Sequence, residues 1–282
     1  PVEYNIITNA TLLTDELIEL FVSNRVHMQI TLDGDHQTHD QRRAWKVTDK
    51  GSFEQIFANL EKISSKGGAD LVLIRMNVDQ NNISEVGALA KRIKSLGIMD
   101  FSCGRIHFRE KNVDHESVTI SRKDFDETFD WEIFKILKPL GLADAPVDLE
   151  SKTTCRFHLK KGFSLSPSLD VFKCDELIDN PEFRVGHIDE HGKLHLVVDE
   201  YEQQVSRKPT DFDDCSSCRY LPQCGSGCSI RALNVKGSPH EHFCEATYDS
   251  VRRKVTSYLK AEEAGMIDET HENECSNCLC GA

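Results

Sequence analysis

The sequence predicts an α/β fold in its first part and a small cysteine-rich α+β unit in its second. Up to about residue 110, strand-like apolar runs alternate with patterns of helical period. Strands separated by helices need crossover connections, which favour a parallel sheet and closure as a barrel or part-barrel. After residue 150 the segments become short and cysteines accumulate. Metal ligands would then support a domain that has little apolar core.

The individual elements follow from period and capping residues. Thr14 is placed to cap a helix, and Ser52 with Gln55 forms a capping-box pair ahead of another. A hairpin is expected between Val185 and Val197, turning at His191 and Gly192. We expect strands over 4–7, 26–32, 71–78 and 101–108, the third covered on both faces, and helices over 15–22, 53–63, 86–96, 125–137 and 245–259.

These patterns divide the chain into four parts. Residues 1–110 hold the alternating strands and helices, 111–150 form a charged connector, 151–260 hold the cysteine-rich unit, and 261–282 form an acidic tail. The chain opens on Pro1 and enters a strand-like run almost at once, so we expect a fragment of a longer protein.

Composition excludes several classes of function. A net charge of −13 over 282 residues disfavours a nucleic-acid partner, because that affinity depends on Lys and Arg neutralising phosphates. No apolar run approaches the roughly 20 residues that a membrane span needs, and no signal peptide opens the chain. We therefore expect a cytoplasmic protein with no membrane partner. In a reducing compartment, metal binding by the 11 cysteines is favoured over disulfides.

Seven cysteines form the strongest motif of the sequence. Two thiolates separated by two residues can ligate one centre, and Gly225 and Gly227 let the backbone pass close to inorganic sulfur. Two structural zinc sites, one completed by His240 or His242, are an alternative, as are disulfides or free thiols. The seven are Cys155 and Cys174, then Cys215-x2-Cys218-x5-Cys224-x3-Cys228, and finally Cys244.

At these residues the chain resembles the radical S-adenosylmethionine enzymes that carry a C-terminal SPASM domain. The four central cysteines match the family spacing, and the outer three fall at compatible distances. One departure is Leu169, where the family has a turn glycine five positions before Cys174. The likeness is to peptide and protein maturases, namely anaerobic sulfatase-maturating enzymes and thioether-forming enzymes.

Short motifs extend the resemblance over roughly residues 4 to 250. They occur in the family's order, ahead of the cysteines. They are Thr8 to Leu13, similar to TNGxLL, Thr31 to Gly34, similar to SLDG, His39 to Arg43, similar to HDxxR, and Arg75 to Val78, similar to RxNV. The resemblance implies the C-terminal portion of a partial (β/α)6 TIM-type barrel followed by the SPASM domain.

The resemblance also implies the cofactor sites. Polar residues near Thr31 and Asp33, together with Asn77, would face S-adenosylmethionine, and Arg43 would bind its carboxylate. Without the resemblance, Asp33-Gly34 would be a plain turn and Arg43 a solvated charge. Two auxiliary 4Fe–4S clusters are implied. Cys215, Cys218, Cys224 and Cys244 would ligate one fully, whereas Cys155, Cys174 and Cys228 would hold the other with one iron open.

Further cysteines and one carboxylate remain. Asp175 matches a position at which sulfatase maturases carry a proton acceptor, and partial desolvation beside a cluster would suit it as a base. The alternative is a solvated or turn-capping Asp. Cys275, Cys278 or Cys280 would cap the open iron, bind a further metal or stay free, and Cys103 is expected to be a small buried hydrophobe.

The C-x3-C-x2-C triplet that holds the S-adenosylmethionine-cleaving third 4Fe–4S cluster does not occur in the chain. The chain alone is therefore expected to be inactive in that cleavage, which would belong to a full-length parent. We expect a peptide or protein substrate, with or without Cys, and an electron donor such as flavodoxin or ferredoxin. The alternatives are a non-catalytic electron-relay or peptide-binding module and a zinc-stabilised interaction domain.

Overall fold

A computed structural model describes residues 4–45, 50–105, 122–146, 155–178, 180–244 and 247–267. Their contacts divide the chain into two units. The first contains the described residues up to Pro146 and from Thr256 onward, and the second those from Cys155 to Val255. No helix among the described residues combines the length and apolar character that crossing a membrane requires.

The first unit is built on a parallel sheet, as the alternation of strands and helices predicted. Its four described strands pair in chain order, each parallel to the next. The α/β class is thus confirmed for this part, while closure of the sheet into a partial barrel stays a prediction. The strands are β1 Asn5–Thr8, β2 His27–Thr31, β3 Val72–Val78 and β4 Asp100–Arg105.

The two faces of this sheet differ. Met28, Ile30 and Ile74 on one face are fully or almost fully buried under apolar side chains of the helices, such as Leu60. On the other face of β3, Leu73 and Arg75 are only half-buried, so the expected cover on both faces is not found among the described residues. The helices are α1 Asp15–Ser23, α2 His36–Arg42, α3 Phe53–Ser65, α4 Val86–Lys94 and α5 Arg122–Leu137, with 3-10 turns at Ala69–Leu71, Ile83–Glu85 and Lys138–Leu140.

Helix α5 falls in the segment expected to be a connector. Its residues Phe129, Ile133 and Leu137 belong to the same buried cluster as the sheet. Cys103 of β4 packs against this cluster, and burial raises the pKa of its thiol to about 12. This matches the expectation of a small hydrophobe.

The second unit contains an antiparallel sheet with its strands in chain order. The predicted hairpin is confirmed as the paired strands Gly186–Ile188 and Leu194–Leu196, with Gly192 in the turn at φ +77°. Phe157, Phe172 and Leu177 form a small buried cluster. The strands are β5 Ser164–Leu165, β6 Asp170–Phe172, β7 Gly186–Ile188 and β8 Leu194–Leu196.

Short helices complete the second unit, and 3-10 turns occur at Arg156–His158, Asp175–Leu177, Pro181–Phe183 and Pro209–Asp211. The short helices are α6 Val198–Val205, α7 Asp213–Ser216, α8 Leu221–Cys224 and α9 Ser229–Lys236. The longer α10, Thr247–Glu263, follows, and its residues from Thr256 onward belong to the first unit. The tail with Cys275, Cys278 and Cys280 lies outside the described residues.

Candidate functional site

A polar cluster lies where β2 and β3 end. The Asp33 carboxylate, 7% exposed, accepts hydrogen bonds at one oxygen from the Asn77 backbone N–H and side-chain amide, at 2.9 and 3.0 Å. Its other oxygen pairs with Nε of Arg43 at 2.5 Å. Asp33 is therefore neither a plain turn residue nor a solvated one. It holds two of the predicted cofactor-binding side chains in place.

Asn82, which is fully buried, connects the strand ends behind Asp33. Its side-chain amide donates to the backbone carbonyls of Asp33 and Asn77, at 2.8 and 2.9 Å. Its carbonyl oxygen accepts from the Asp79 backbone N–H. The Asp79 carboxylate in turn pairs with Arg42, at 2.8 Å from both oxygens to Nη2. Arg42 is thus held in an ion pair with Asp79, whereas its neighbour Arg43 pairs with Asp33 through Nε.

His39, on helix α2, links this cluster to the start of α3. The Asp33 backbone N–H donates to Nδ1 of His39, so Nε2 carries the proton and donates to the Ser52 hydroxyl at 3.0 Å. That hydroxyl donates to the Arg43 carbonyl at 2.7 Å. Burial lowers the pKa of His39 below its usual 6.5, which keeps the ring neutral as this chain of hydrogen bonds requires.

Two groups of the cluster remain available to a ligand. The Nη groups of Arg43 and the side-chain oxygen of Asn77 have no partner among the described residues, and Arg43 is 38% exposed. Thr31 is half-buried at the end of β2, opposite Arg75 in the parallel register. A partly exposed guanidinium whose Nη groups have no partner among these residues is suited to a carboxylate. Asp33, whose oxygens are taken, is suited to orienting Arg43 and Asn77 rather than to binding a ligand itself.

The cysteines of the second unit fall into two groups. Burial raises the pKa of the Cys174 thiol to about 12, and repulsion from Asp175, Cys155 and Cys228 adds to the effect. Cys155, Cys174 and Cys228 are thus close enough to interact, and we call them the three-cysteine group. These are the three that the family resemblance assigns to one cluster.

The remaining four form the four-cysteine group. Burial raises the pKa of Cys215, with further contributions from Cys244, Cys224 and Cys218. The pKa of Cys244 is also raised, mainly by burial and next by repulsion from Cys224 and Cys218. The described cysteines are all free thiols.

Backbone packing at Gly227 brings the distant Cys244 to its group. Gly227 has φ +81°, and a Cβ there would overlap the Phe243 carbonyl oxygen. The Phe243 N–H donates to the Ser226 carbonyl at 3.0 Å. Only glycine allows this close approach. The segment ending in Cys244 therefore lies directly on the loop between Cys224 and Cys228.

Lys173 fixes the loop after Cys155 to the end of β6. Its side chain is fully buried, and Nζ donates to the carbonyls of Leu159 and Gly162 at 2.5 and 2.6 Å. The ammonium also lies over the Phe163 ring, 4.6 Å from the centroid. Its neighbour Cys174 is thereby held near the segment that carries Cys155.

Asp175 begins the 3-10 turn after Cys174. One carboxylate oxygen lies 3.8 Å from the Cys174 sulfur. The side chain is exposed, so the partial desolvation expected from the sequence is not found. A catalytic role for Asp175 stays a prediction.

The thiol groups fit an iron–sulfur cluster better than a single metal ion. Seven free thiols in groups of three and four suit iron–sulfur clusters, whose usual ligands are thiolates. Among the described residues, no three His, Cys, Asp or Glu side chains converge tightly enough to hold a single metal ion. His242, considered for a zinc site, has Nε2 3.6 Å from the Asp214 carboxylate.

Sequence reasoning missed several residues that organise these sites. Asn82, Lys173 and the buried Arg207 carry no motif, because their partners are backbone carbonyls or residues distant in sequence. For the two cations, the chemistry of the side chain was the signal that could have found them. Lys and Arg are rarely fully buried unless paired, so a cation between apolar residues, as at Lys173, points to a fixed partner.

The chain is similar to several known proteins in sequence. No protein-family model matches the chain. It is 23% identical over 268 residues to the cysteine-type anaerobic sulfatase-maturating enzyme of Clostridium novyi (strain NT), covering 86% of the chain and 68% of the relative. It is 24% identical over 251 residues to the antilisterial bacteriocin subtilosin biosynthesis protein AlbA of Bacillus subtilis (strain 168), covering 85% of the chain and 53% of AlbA.

A third relative matches over a shorter stretch. The sporulation killing factor maturation protein SkfB of Bacillus subtilis (strain 168) is 28% identical over 102 residues, which is 36% of the chain and 23% of SkfB. The chain thus spans about two thirds of the Clostridium enzyme and about half of AlbA.

Solved structures share the fold. Native anSMEcpe with bound AdoMet and Cp18Cys peptide has a TM-score of 0.65 at 13% identity, covering 94% of this chain and 74% of that one. Streptococcus suis SuiB bound to the precursor peptide SuiA has a TM-score of 0.55 at 13% identity, covering 87% and 59%. By sequence and by fold, the chain therefore resembles the radical S-adenosylmethionine maturases, and by that resemblance it is an enzyme.

Proposed function

We propose that this chain forms the cluster-bearing and substrate-facing part of a radical S-adenosylmethionine maturase that modifies a peptide or protein. The observation that carries the proposal is the division of seven free thiols into groups of three and four. The maturation proteins among its relatives, and the peptides bound to two of the similar structures, support a peptide-like substrate.

Each thiol group is proposed to hold one 4Fe–4S cluster. The four-cysteine group supplies a complete set of protein ligands. The three-cysteine group leaves one iron without a protein ligand, where a thiolate of a Cys-containing substrate or of the terminal cysteines could bind. The closed site would then relay electrons or stabilise the fold, and the open site would hold the substrate.

The polar cluster of the first unit is proposed to bind S-adenosylmethionine. The Nη groups of Arg43, which have no partner among the described residues, would take its carboxylate, since a planar fork matches two carboxylate oxygens. Asn77 and Thr31 would contribute polar contacts at the same strand ends. Asp33 would keep Arg43 and Asn77 oriented from behind.

When bound, S-adenosylmethionine and the cluster that cleaves it supply a radical able to abstract hydrogen from the substrate. The residues of this chain would orient that cofactor and position the substrate. Asp175, exposed beside Cys174, would accept a proton from the modified residue. A flavodoxin or ferredoxin would supply electrons.

Anaerobic reconstitution with iron and sulfide, followed by metal and sulfide analysis, tests the proposal. Two cubane clusters require about eight irons and eight sulfides per chain. Zinc bound without sulfide would overturn the assignment in favour of a zinc-stabilised interaction domain. Clusters without S-adenosylmethionine binding would favour the electron-relay or peptide-binding module.

A further inference from the structure

Arg207, in the loop after helix α6, is buried beside both thiol groups. Its residue exposure is 6%, and it is not part of any motif identified in the sequence. Its guanidinium interacts electrostatically with Cys215 and Cys224 of the four-cysteine group and with Cys155 and Cys228 of the three-cysteine group. The same guanidinium is thus within electrostatic range of cysteines of both groups.

Hydrogen bonds fix the guanidinium against the loop that leads into Cys228. Nη2 donates to the Ser226 carbonyl at 2.7 Å, and Nη1 donates to the Ser229 hydroxyl at 2.8 Å. Nη1 also lies 3.4 Å from the Gly227 carbonyl. Arg207 thus holds the residues on both sides of Cys228.

A second set of contacts reaches the segments that carry Cys155 and Cys215. Nη1 lies 3.1 Å from Nε2 of His158, three residues after Cys155. Burial lowers the pKa of His158 to about 4, so its ring is neutral and Nε2 can accept. The guanidinium carbon lies over the ring of Phe212, three residues before Cys215, at 5.3 Å from the centroid.

The charge of Arg207 lacks the usual compensation. Among the described residues it has no carboxylate partner, and its buried Nε has no hydrogen-bond acceptor. A buried charge without a counter-charge is costly. The groups able to supply negative charge around it are the cysteine sulfurs, once they are deprotonated as cluster ligands.

We propose that Arg207 is a positioning residue shared by the two cluster sites, where its fixed positive charge compensates the thiolates of both groups and raises the reduction potential of both clusters. The inference rests on the proposed function. Adding an electron to a cluster adds negative charge, which a nearby buried cation stabilises.

The test uses the full chain, reconstituted anaerobically, in wild-type, R207Q, R207K and R184Q forms. R184Q is the matched control, because Arg184 lies in the same unit, is 49% exposed and pairs with Asp170. Iron and sulfide are counted, and the midpoint potential of each cluster is measured by titration monitored by electron paramagnetic resonance. We expect R207Q to keep both clusters with both potentials lowered, R207K to stay near wild type, and R184Q to match wild type.

Equal potentials in R207Q and wild type would overturn the proposal, as would a shift confined to one cluster or an equal shift in R207K and R207Q. If R207Q binds no iron, the cluster content and potentials of R207K test the proposal instead. Two clusters at near-wild-type potentials in R207K support a role for the charge, and loss of both clusters overturns it. If the wild-type chain takes up no iron and sulfide, the proposed function itself is wrong. Failure of the proposed function is thereby distinguished from failure of the role proposed for Arg207.

Discussion

Leu169 occupies the turn between β5 and β6 in a left-handed conformation, with φ +65°. Its N–H donates to the Ser166 carbonyl at 3.0 Å, which closes the turn. The side chain is 45% exposed and therefore gains little from packing. The family motif has glycine here, and the backbone of this chain keeps the glycine-like conformation without the glycine.

We expect L169G to stabilise the protein by about 0.5–1 kcal/mol. Relief of the left-handed strain of a residue with a Cβ, roughly 1–2 kcal/mol, exceeds the extra entropy that glycine loses on folding. Thermal unfolding followed by circular dichroism measures the change. L165G is the control, because Leu165 has similar exposure on strand β5 and glycine there should destabilise. Similar destabilisation by both variants would contradict the expectation.

Arg43 is expected to bind the carboxylate of S-adenosylmethionine. R43Q should weaken equilibrium binding about tenfold or more, since a hydrogen bond to a charged group contributes roughly 1.5–3 kcal/mol. R25Q is the control, because exposed Arg25 pairs with Asp70 elsewhere in the same unit. Calorimetric titration measures the affinities, and equal affinity in R43Q and wild type would exclude this role.

His39 should make the stability of the first unit depend on pH. Burial lowers its folded-state pKa below 6.5, so the unfolded chain binds a proton that the folded chain excludes. The stability that neutral His39 contributes to the folded state is therefore fully present above pH 6.5. It is lost as the pH falls towards the lowered folded-state pKa of His39. H39N keeps an acceptor for the Asp33 N–H without titrating.

Urea unfolding at pH 7.5 and 5.5 measures this dependence. Trp45 and Trp131, the two tryptophans of the chain, both lie in the first unit, so their fluorescence reports on it. H39N should be less stable than wild type at pH 7.5 but lose less stability on acidification. An equal loss in both proteins would show that other groups carry the dependence.

Helix α3 is capped by a residue from another element. The sequence predicts a capping box of Ser52 and Gln55, and this is wrong. Ser52 has helical dihedral angles, φ −109° and ψ −10°, and its hydroxyl bonds to Arg43 and His39 instead. Asp40 Oδ1 accepts from the N–H groups of Ser52 and Phe53, at 2.8 and 2.9 Å.

Removing this cap should cost about 1–2 kcal/mol, as for other N-terminal helix caps. D40A leaves two buried donors without a partner, whereas D40N keeps an oxygen acceptor and should lose less than half as much. Tryptophan-monitored urea unfolding of both variants checks the order. Equal loss in the two would point to the Asp40 charge, which lies 3.3 Å from His36, rather than to the cap.

At the scale of helices and strands, the sequence predicted the elements that have a periodic pattern of buried residues. The helix over 53–63 and the strand over 71–78 are found as Phe53–Ser65 and Val72–Val78, because burial of one face imposes the pattern. Helix α2 was not predicted, since His36–Arg42 is polar throughout and only His39 is buried. The Asp40 cap was inaccessible for a similar reason, because it depends on the fold bringing residues 40 and 52 together.

At the scale of the whole molecule, the sequence predicted the membership of the thiol groups better than the contacts within the polar cluster. Cysteine spacing marked the seven residues as a ligand set, and the family resemblance then implied which of them belong to each group. Asp33, Arg43 and Asn77 were named as direct cofactor contacts, but pairing among them depends on strand register. The buried Arg207 was missed because its partners come from three separate segments.

The two thiol groups should lose iron independently. C174S removes a ligand of the three-cysteine group and C244S one of the four-cysteine group, so each variant should retain about four of about eight irons. The double variant C174S/C244S should retain almost none. C103A is the control, because Cys103 packs against the core of the first unit and should not affect iron content.

Iron and sulfide analysis of the four variants, with electron paramagnetic resonance after reduction, distinguishes two sites from one. C174S and C244S should each remove a different component of the reduced spectrum, because each leaves the other group intact. Complete loss of iron in either single variant, with the chain still folded by circular dichroism, would mean that all seven thiols serve one centre. That result would remove the open iron of the three-cysteine group, and with it the proposed place for a substrate thiolate.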